Sequence, residues 1–288
     1  MPLLLVILLF AALGGIASAA FAVVFLWVRE EHSVRILPHF VSFATGALIG
    51  AALLALLPEA IEGAGTAGAR RIGAVLVLGL AVFFVIEKLV LWWHAHAHER
   101  SDEASACPQH ADDPTAGQGG RPSHSHSHVQ RDSHDHARDR ASGTLVLVGD
   151  SLHNALDGVL IAAAFLTNVP LGLMTTFAVA AHEIPHRVGD FAILIQAGLS
   201  RPRALLLNLA TGIASVLGAA AAYFGLRQAL GALPYALAFA AAGFLYISVA
   251  GLIPGLHRRV DARTSAAQVV LIGVGIAVVA AAEHLSHM

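Results

Sequence analysis

The chain has 288 residues, of which 57% are hydrophobic and only 12% charged, about half the charged fraction of an ordinary soluble domain. That much apolar surface excludes water as the solvent for most of the chain, and a formal net charge of −2 leaves no basic excess for nucleic acid. The single cysteine, Cys107, excludes a disulfide framework and a multi-cysteine zinc finger and reads as an incidental thiol in a polar linker.

In chain order, stretches with the roughly 20 apolar residues that a spanning helix needs fall at 3–28, 36–57, 72–93, 144–166, 171–197, 203–225, 231–254 and 265–283. The first contains "IASAAF", which resembles a cleavage site. It lacks a positive flank, however, and its apolar run continues to Trp27, so it reads as a retained span. No stretch alternates like a barrel strand, and in hydrocarbon only a helix satisfies its own backbone. The expected fold is an all-α integral membrane bundle of eight transmembrane helices. Residues 1–93 supply helices 1–3 and 144–288 supply helices 4–8, one transmembrane unit interrupted by a long polar loop.

Basic residues set the orientation. Loops 1–2, 3–4, 5–6 and 7–8 carry twelve arginines, and loops 2–3, 4–5 and 6–7 carry three. The asymmetry puts both termini outside and the 3–4 loop in the cytoplasm, in a multi-pass protein of the plasma (inner) membrane. Trp27, Trp92 and Trp93 then fall at cytoplasmic interfaces. Two basic residues remain inside spans: Lys88, beside Glu87 near a helix end where it can snorkel, and Arg187.

Residues 94–143 hold nine histidines among Ser, Asp, Gly and Pro, in runs such as "HAHAH" (94–98), "HSHSH" (124–128) and "HDH" (134–136). Such a segment cannot bury a core, and disorder is expected. Imidazole is a common ligand of zinc, copper, nickel and iron, so His124, His126, His128 and their neighbours read as a plastic metal chelator.

The fourth span reads "GDSLHNALDGVLIAAAF". Asp150, His153, Asn154 and Asp157 are spaced i, i+3, i+4, i+7 and occupy one polar stripe. In the fifth span His182, Glu183, His186 and Asp190 do the same, with Pro185 inside the helix removing a backbone hydrogen bond. Ionisable side chains within a bilayer face a partner, a cavity or an ion path. Two sequential antiparallel helices can bring these stripes to one point. With Arg187 the single nearby cation, a purely structural set of salt bridges leaves carboxylates unneutralised. Imidazole with carboxylate suits zinc, iron or manganese rather than Cu(I). Arg187 is four residues after Glu183 and three before Asp190, and is expected to pair with one of them when metal is absent.

These motifs, "HNALDG" at 153–158 and "HEIPHRVGD" at 182–190, resemble the fourth and fifth spans of the ZIP (Zrt-, Irt-like) metal transporters, in the branch with HEIPH in the fifth span. "LLPEA" at 56–60 and "GFLYI" at 243–247 are similar to that branch too. The resemblance covers essentially the whole chain. It implies movement of Zn2+, and in some members Fe2+, Mn2+ or Cd2+, toward the cytoplasm by a homodimer in the lipid bilayer, with no enzyme activity and no cofactor, the metal being the substrate. It implies metal ligands at His153, Asn154, Asp157, His182, Glu183 and His186; the polar stripes and the histidine-rich loop add Asp150, Arg187, Asp190, His124, His126 and His128 as candidate accessory positions. Three departures stand out: Arg187 replaces a carboxylate usual after HEIPH, Ala51 and Ala55 precede "LLPEA" where relatives often have His or Asp, and "SVAGLIPGL" lacks an acid.

Two rival readings use the same residues. "HEIPH" satisfies the H-E-x-x-H pattern of zinc metalloproteases, and "LDG" at 156–158 is similar to the third-ligand motif of site-2-type intramembrane proteases. Those enzymes place LDG after the HExxH helix, whereas here it comes 25 residues before. A cation-efflux exporter also carries a histidine-rich loop, but resembles a six-span chain with a cytosolic domain that this sequence lacks.

Overall fold

The computed structural model describes residues 2–20, 30–103, 128–257 and 261–286. Every regular element among them is helical. Helix α1 runs Pro2–Ala12 and continues through a π-helical turn, Leu13–Ala17, to Ala20. Helix α2 comprises Glu30–Gly50, a π-helical segment Ala51–Leu56, and Leu57–Ala64. Helices α3 (Ala69–Glu103), α4 (His128–Thr167), α5 (Val169–Gln196) and α6 (Arg201–Arg227) follow. Helix α7 opens with a 3-10 turn, Leu230–Ala232, and runs through Leu233–Tyr246, a π-helical segment Ile247–Leu252 and Ile253–Leu256. Helix α8 is Ala262–Ser286.

Six of these stretches are long and apolar enough to cross a bilayer: Pro2–Ala20, Ile36–Ala64, Ala69–Leu89, Arg201–Arg227, Leu230–Leu256 and Ala262–Leu285. The expected fourth and fifth spans are helical but fall outside this set. Their ionisable stripes lower the mean hydropathy of α4 and α5, which is the same feature that marks them chemically.

The α4–α5 turn is short because Asn168 caps α5, its side-chain oxygen accepting from the Leu171 N–H at 2.8 Å. Pro170 follows in the first turn, where no N–H is needed. The Asn168 amide also donates to Glu59 Oε1 at 3.1 Å, fixing the turn to the end of α2. A hairpin this tight makes α4 and α5 antiparallel neighbours.

Helix α6 backs onto α4 through small residues on both sides. A Cβ on Gly158 would lie 1.8 Å from the Ser215 carbonyl oxygen, and one on Gly218 would lie 2.0 Å from that of Ala155. Such backbone contact is how helices associate without a hydrophobic driving force. The core of the bundle holds Leu48, Leu56, Ile161, Phe165, Leu237 and Phe244. Ala51 and Ala55 are also buried in it, within the π-helical segment of α2.

The segment 94–143, expected to be disordered, is described only at its ends. There the backbone continues helical, to Glu103 on α3 and from His128 on α4. Extending an existing helix costs far less than nucleating one, so long membrane helices carry their first polar residues with them. Residues 104–127, with Cys107, His124 and His126, lie outside the described residues, as do 21–29, which hold the expected end of the first span and Trp27.

Candidate metal centre

Helices α4 and α5 turn their polar stripes toward each other. His153 Nε2 lies 3.1 Å from His182 Nε2, 3.5 Å from Glu183 Oε1 and 3.8 Å from Asp157 Oδ2. His182 Nε2 lies 3.5 Å from Asp157 Oδ2 and 4.0 Å from Glu183 Oε1. Ligand atoms of these four residues all fall within 4.8 Å of one another. Asp157, His182 and Glu183 are buried, and His153 is half-buried. The His182 ring is steered by its other nitrogen, 3.1 Å from the Ala178 carbonyl one turn earlier.

Two oxygens of this group, Asp157 Oδ2 and Glu183 Oε1, are buried and accept no hydrogen bond. A buried carboxylate oxygen without a donor is costly, and its position here, facing imidazole nitrogens, is that of a cation ligand. Four donors around a zinc ion at about 2.1 Å are separated by about 3.4 Å along the edges of a tetrahedron. The five measured separations bracket that value.

Arg187 accounts for the rest of the stripe. It is fully buried. Its Nε donates to Glu183 Oε2 at 2.8 Å, and its Nη1 to Asp150 Oδ2 at 3.1 Å. Nη2 donates to Asn154 Oδ1 at 2.6 Å and reaches the Gly15 carbonyl of α1 at 3.4 Å. Nη1 also donates to Asn208 on α6, at its carbonyl oxygen (2.6 Å) and Oδ1 (3.1 Å), and to the Thr211 hydroxyl. Glu183 thus gives one oxygen to the guanidinium and keeps the other for the histidines. The expected partner Glu183 is confirmed; the alternative, Asp190, is not the residue Arg187 uses, because His186 Nδ1 lies 3.2 Å from Asp190 Oδ2 instead.

The six expected ligands therefore separate. His153, Asp157, His182 and Glu183 converge. Asn154 gives its oxygen to Arg187 and donates through Nδ2 to the Asp150 carbonyl and carboxylate, at 2.8 and 2.9 Å. His186 groups with Asp150 and Asp190, whose ligand atoms and its own lie within 4.8 Å of one another. His128 opens α4, 25 residues before His153, and its side chain lies outside the described residues. Asn208 and Thr211 were not singled out from the sequence. Their signal was present: an amide and a hydroxyl three residues apart inside an apolar span, a pair that shares one helix face.

A cavity of about 520 Å³ meets this region, lined by Glu87, His153, His186, Asp190 and Tyr246 among apolar residues of α2, α3, α4, α5 and α7. Its α3 lining, Phe83, Ile86 and Glu87, lies where the apolar stretch Ala69–Leu89 ends on the way to the 3–4 segment, and its α4 lining, Gly149, Leu152, His153 and Leu156, in the second half of α4. Within its lining the Tyr246 hydroxyl donates to Glu87. On the opposite side of the centre the helices close with Ile161, Phe165, Val179 and Phe244, all buried.

The family model described as "ZIP Zinc transporter" matches residues 2–283. The zinc transporter SLC39A7 of Rattus norvegicus is 32% identical, over 95% of this chain and 72% of that protein. That of Mus musculus is 31% identical over 95% and 69%. The zinc transporter ZIP13 of Homo sapiens is 33% identical over 87% and 72%. With that family the metalloprotease and efflux readings of the same motifs fall away. Through nearly its whole length, the chain belongs to the ZIP zinc transporter family.

Proposed function

We propose that the protein moves divalent metal ions, Zn2+ foremost and Fe2+, Mn2+ or Cd2+ with it, through the membrane toward the cytoplasm. The metal is the substrate, and His153, Asp157, His182 and Glu183 are its intramembrane ligands. One observation carries this reading: two buried carboxylate oxygens without hydrogen bonds face two imidazole nitrogens at separations suited to a single tetrahedral ion. His186 and Asn154 join that shell only if their side chains leave Asp190 and Arg187. All eight helices cross the bilayer, α4 and α5 with their stripes turned inward, in a homodimer of the inner membrane with both termini outside. The arginine asymmetry supports that orientation. The cavity, which meets α3 near the end of its apolar stretch Ala69–Leu89 that leads to the 3–4 segment, supports a conformation in which the centre communicates with the cytoplasm and is sealed from the other side.

Zinc uptake into proteoliposomes tests this, with Fe2+, Mn2+ and Cd2+ as competitors. Wild-type protein takes up zinc, and His182→Ala and Glu183→Ala remain folded in detergent but lose the flux. Uptake by both variants at the wild-type rate overturns the assignment.

A further inference from the structure

We infer that Glu59 is a positioning residue for transport: its bond to Asn168 latches the outer end of the α4–α5 hairpin to α2 and holds the cavity side open. This rests on the transport reading and orientation above, but on residues outside the metal centre. Asn168 is the turn between the two helices that carry His153, Asp157, His182 and Glu183. Its side chain works in two directions. The oxygen accepts from the Leu171 N–H at 2.8 Å and starts α5, while Nδ2 donates to Glu59 Oε1 at 3.1 Å. Glu59 lies 109 positions earlier in the chain, so the contact is tertiary and not part of the turn itself. Both side chains are half-buried, and a bond that ends on a carboxylate is about twice as strong as a neutral one.

Position gives the bond its role. On α4 the cavity lining ends at Leu156, and Asn168 follows 12 residues later, about 18 Å of helix away on the far side of the centre. The hairpin also meets its neighbours in two ways. Against α6 the backbones touch at Gly158 and Gly218, and α1 joins that group at Gly15, where an added Cβ would lie 3.0 Å from the Gly212 carbonyl oxygen. Against α2 the hairpin presents side chains, with Phe177 edge-on to Phe43 at 6.1 Å between centroids. The seam along which the hairpin can part is therefore the one with α2. Opening the centre to the outside separates the hairpin's outer end from α2, and the Glu59 bond opposes that step. Losing a hydrogen bond to a charged group moves such an equilibrium by about tenfold to a hundredfold.

Pulsed electron paramagnetic resonance between two spin labels on the full-length chain tests this, in lipid nanodiscs with a chelator present. Cys107, the single cysteine, is replaced by serine. The labels go on Leu89→Cys and Ser200→Cys, both exposed and beyond the cavity's α3 and α5 walls. This parent populates mainly the wider, cavity-open distance. Asn168→Asp keeps a good cap for α5 but removes the donor and sets two carboxylates face to face. Glu59→Leu removes the acceptor and leaves the cap untouched. Each raises the ratio of the shorter to the wider distance by about tenfold or more, and if one fails to elute as folded protein the other decides. Adding Glu59→Gln to Asn168→Asp remakes the bond in reverse, the glutamine amide donating to the aspartate, and returns the ratio to the parent's. A merely loosened turn is not repaired by that exchange. An unchanged ratio in a folded single variant, or a double variant that behaves as Asn168→Asp alone, overturns the latch. Zinc is absent throughout, so this outcome is read separately from the uptake test of the metal ligands.

Discussion

A guanidinium packed among two carboxylates, two amides and a hydroxyl holds the centre in shape. Removing one partner of a buried ion pair strands the other charge and typically costs about 3–5 kcal/mol. Arg187→Ala strands two, Glu183 and Asp150, and is expected to lower the melting temperature markedly in the presence of a chelator. Zinc then raises the variant's melting temperature more than the wild type's, because a divalent ion replaces the missing charge. Equal zinc shifts in both proteins contradict this role for Arg187. Lysine does not substitute, since it lacks the planar fork that reaches five side chains at once. At this scale the sequence was half informative. The i, i+4 spacing identified Glu183 as a partner. It missed Asp150, which lies 37 residues away, and did not foresee that His186 would take Asp190. The order of preference among neighbouring charges is decided by side chains from other helices, which no local spacing encodes.

Apolar length placed the fourth and fifth spans in the sequence and periodicity found the polar stripes within them, which lower the mean hydropathy of α4 and α5 while marking one face at the 3.6-residue period. Less legible was how close the helices come. Glycines at 158 and 218 looked unremarkable among many alanines, yet each meets a carbonyl of the facing helix. Gly158→Ala and Gly218→Ala must push α4 and α6 apart, and overpacking of this kind costs about 1–3 kcal/mol. Both variants should melt earlier and lose zinc uptake, because the same two helices carry His153, Asp157 and the Asn208 and Thr211 that hold Arg187. Gly225→Ala, with nothing within 4 Å of the added carbon, is the control and should behave as wild type. Thermal stability in detergent that fails to separate the first two from the third refutes the packing account. Among the described residues the three π-helical segments, in α1, α2 and α7, had no sequence signal at all, since an extra residue in a turn leaves composition and periodicity almost unchanged.

The whole molecule divides into a helical body that carries the centre and a histidine-rich segment between α3 and α4. Deleting residues 104–127, which removes none of the described residues of α3 and α4, should preserve zinc uptake and lower the number of zinc ions bound per chain. Zinc binding by the segment's histidines should weaken below about pH 6, because protons compete for imidazoles whose ordinary pKa is about 6.5. Abolished uptake in a well-folded deletion variant would place the segment in the translocation path. The central claim, one buried ion between α4 and α5, is tested most directly by zinc X-ray absorption at substoichiometric metal, on protein in which the nine histidines of residues 94–143 are replaced by alanine. The account predicts a shell of nitrogen and oxygen ligands at about 2.0–2.2 Å, including two imidazoles, of which one disappears in His182→Ala. A shell without imidazole, or a spectrum that His182→Ala leaves unchanged, would contradict it.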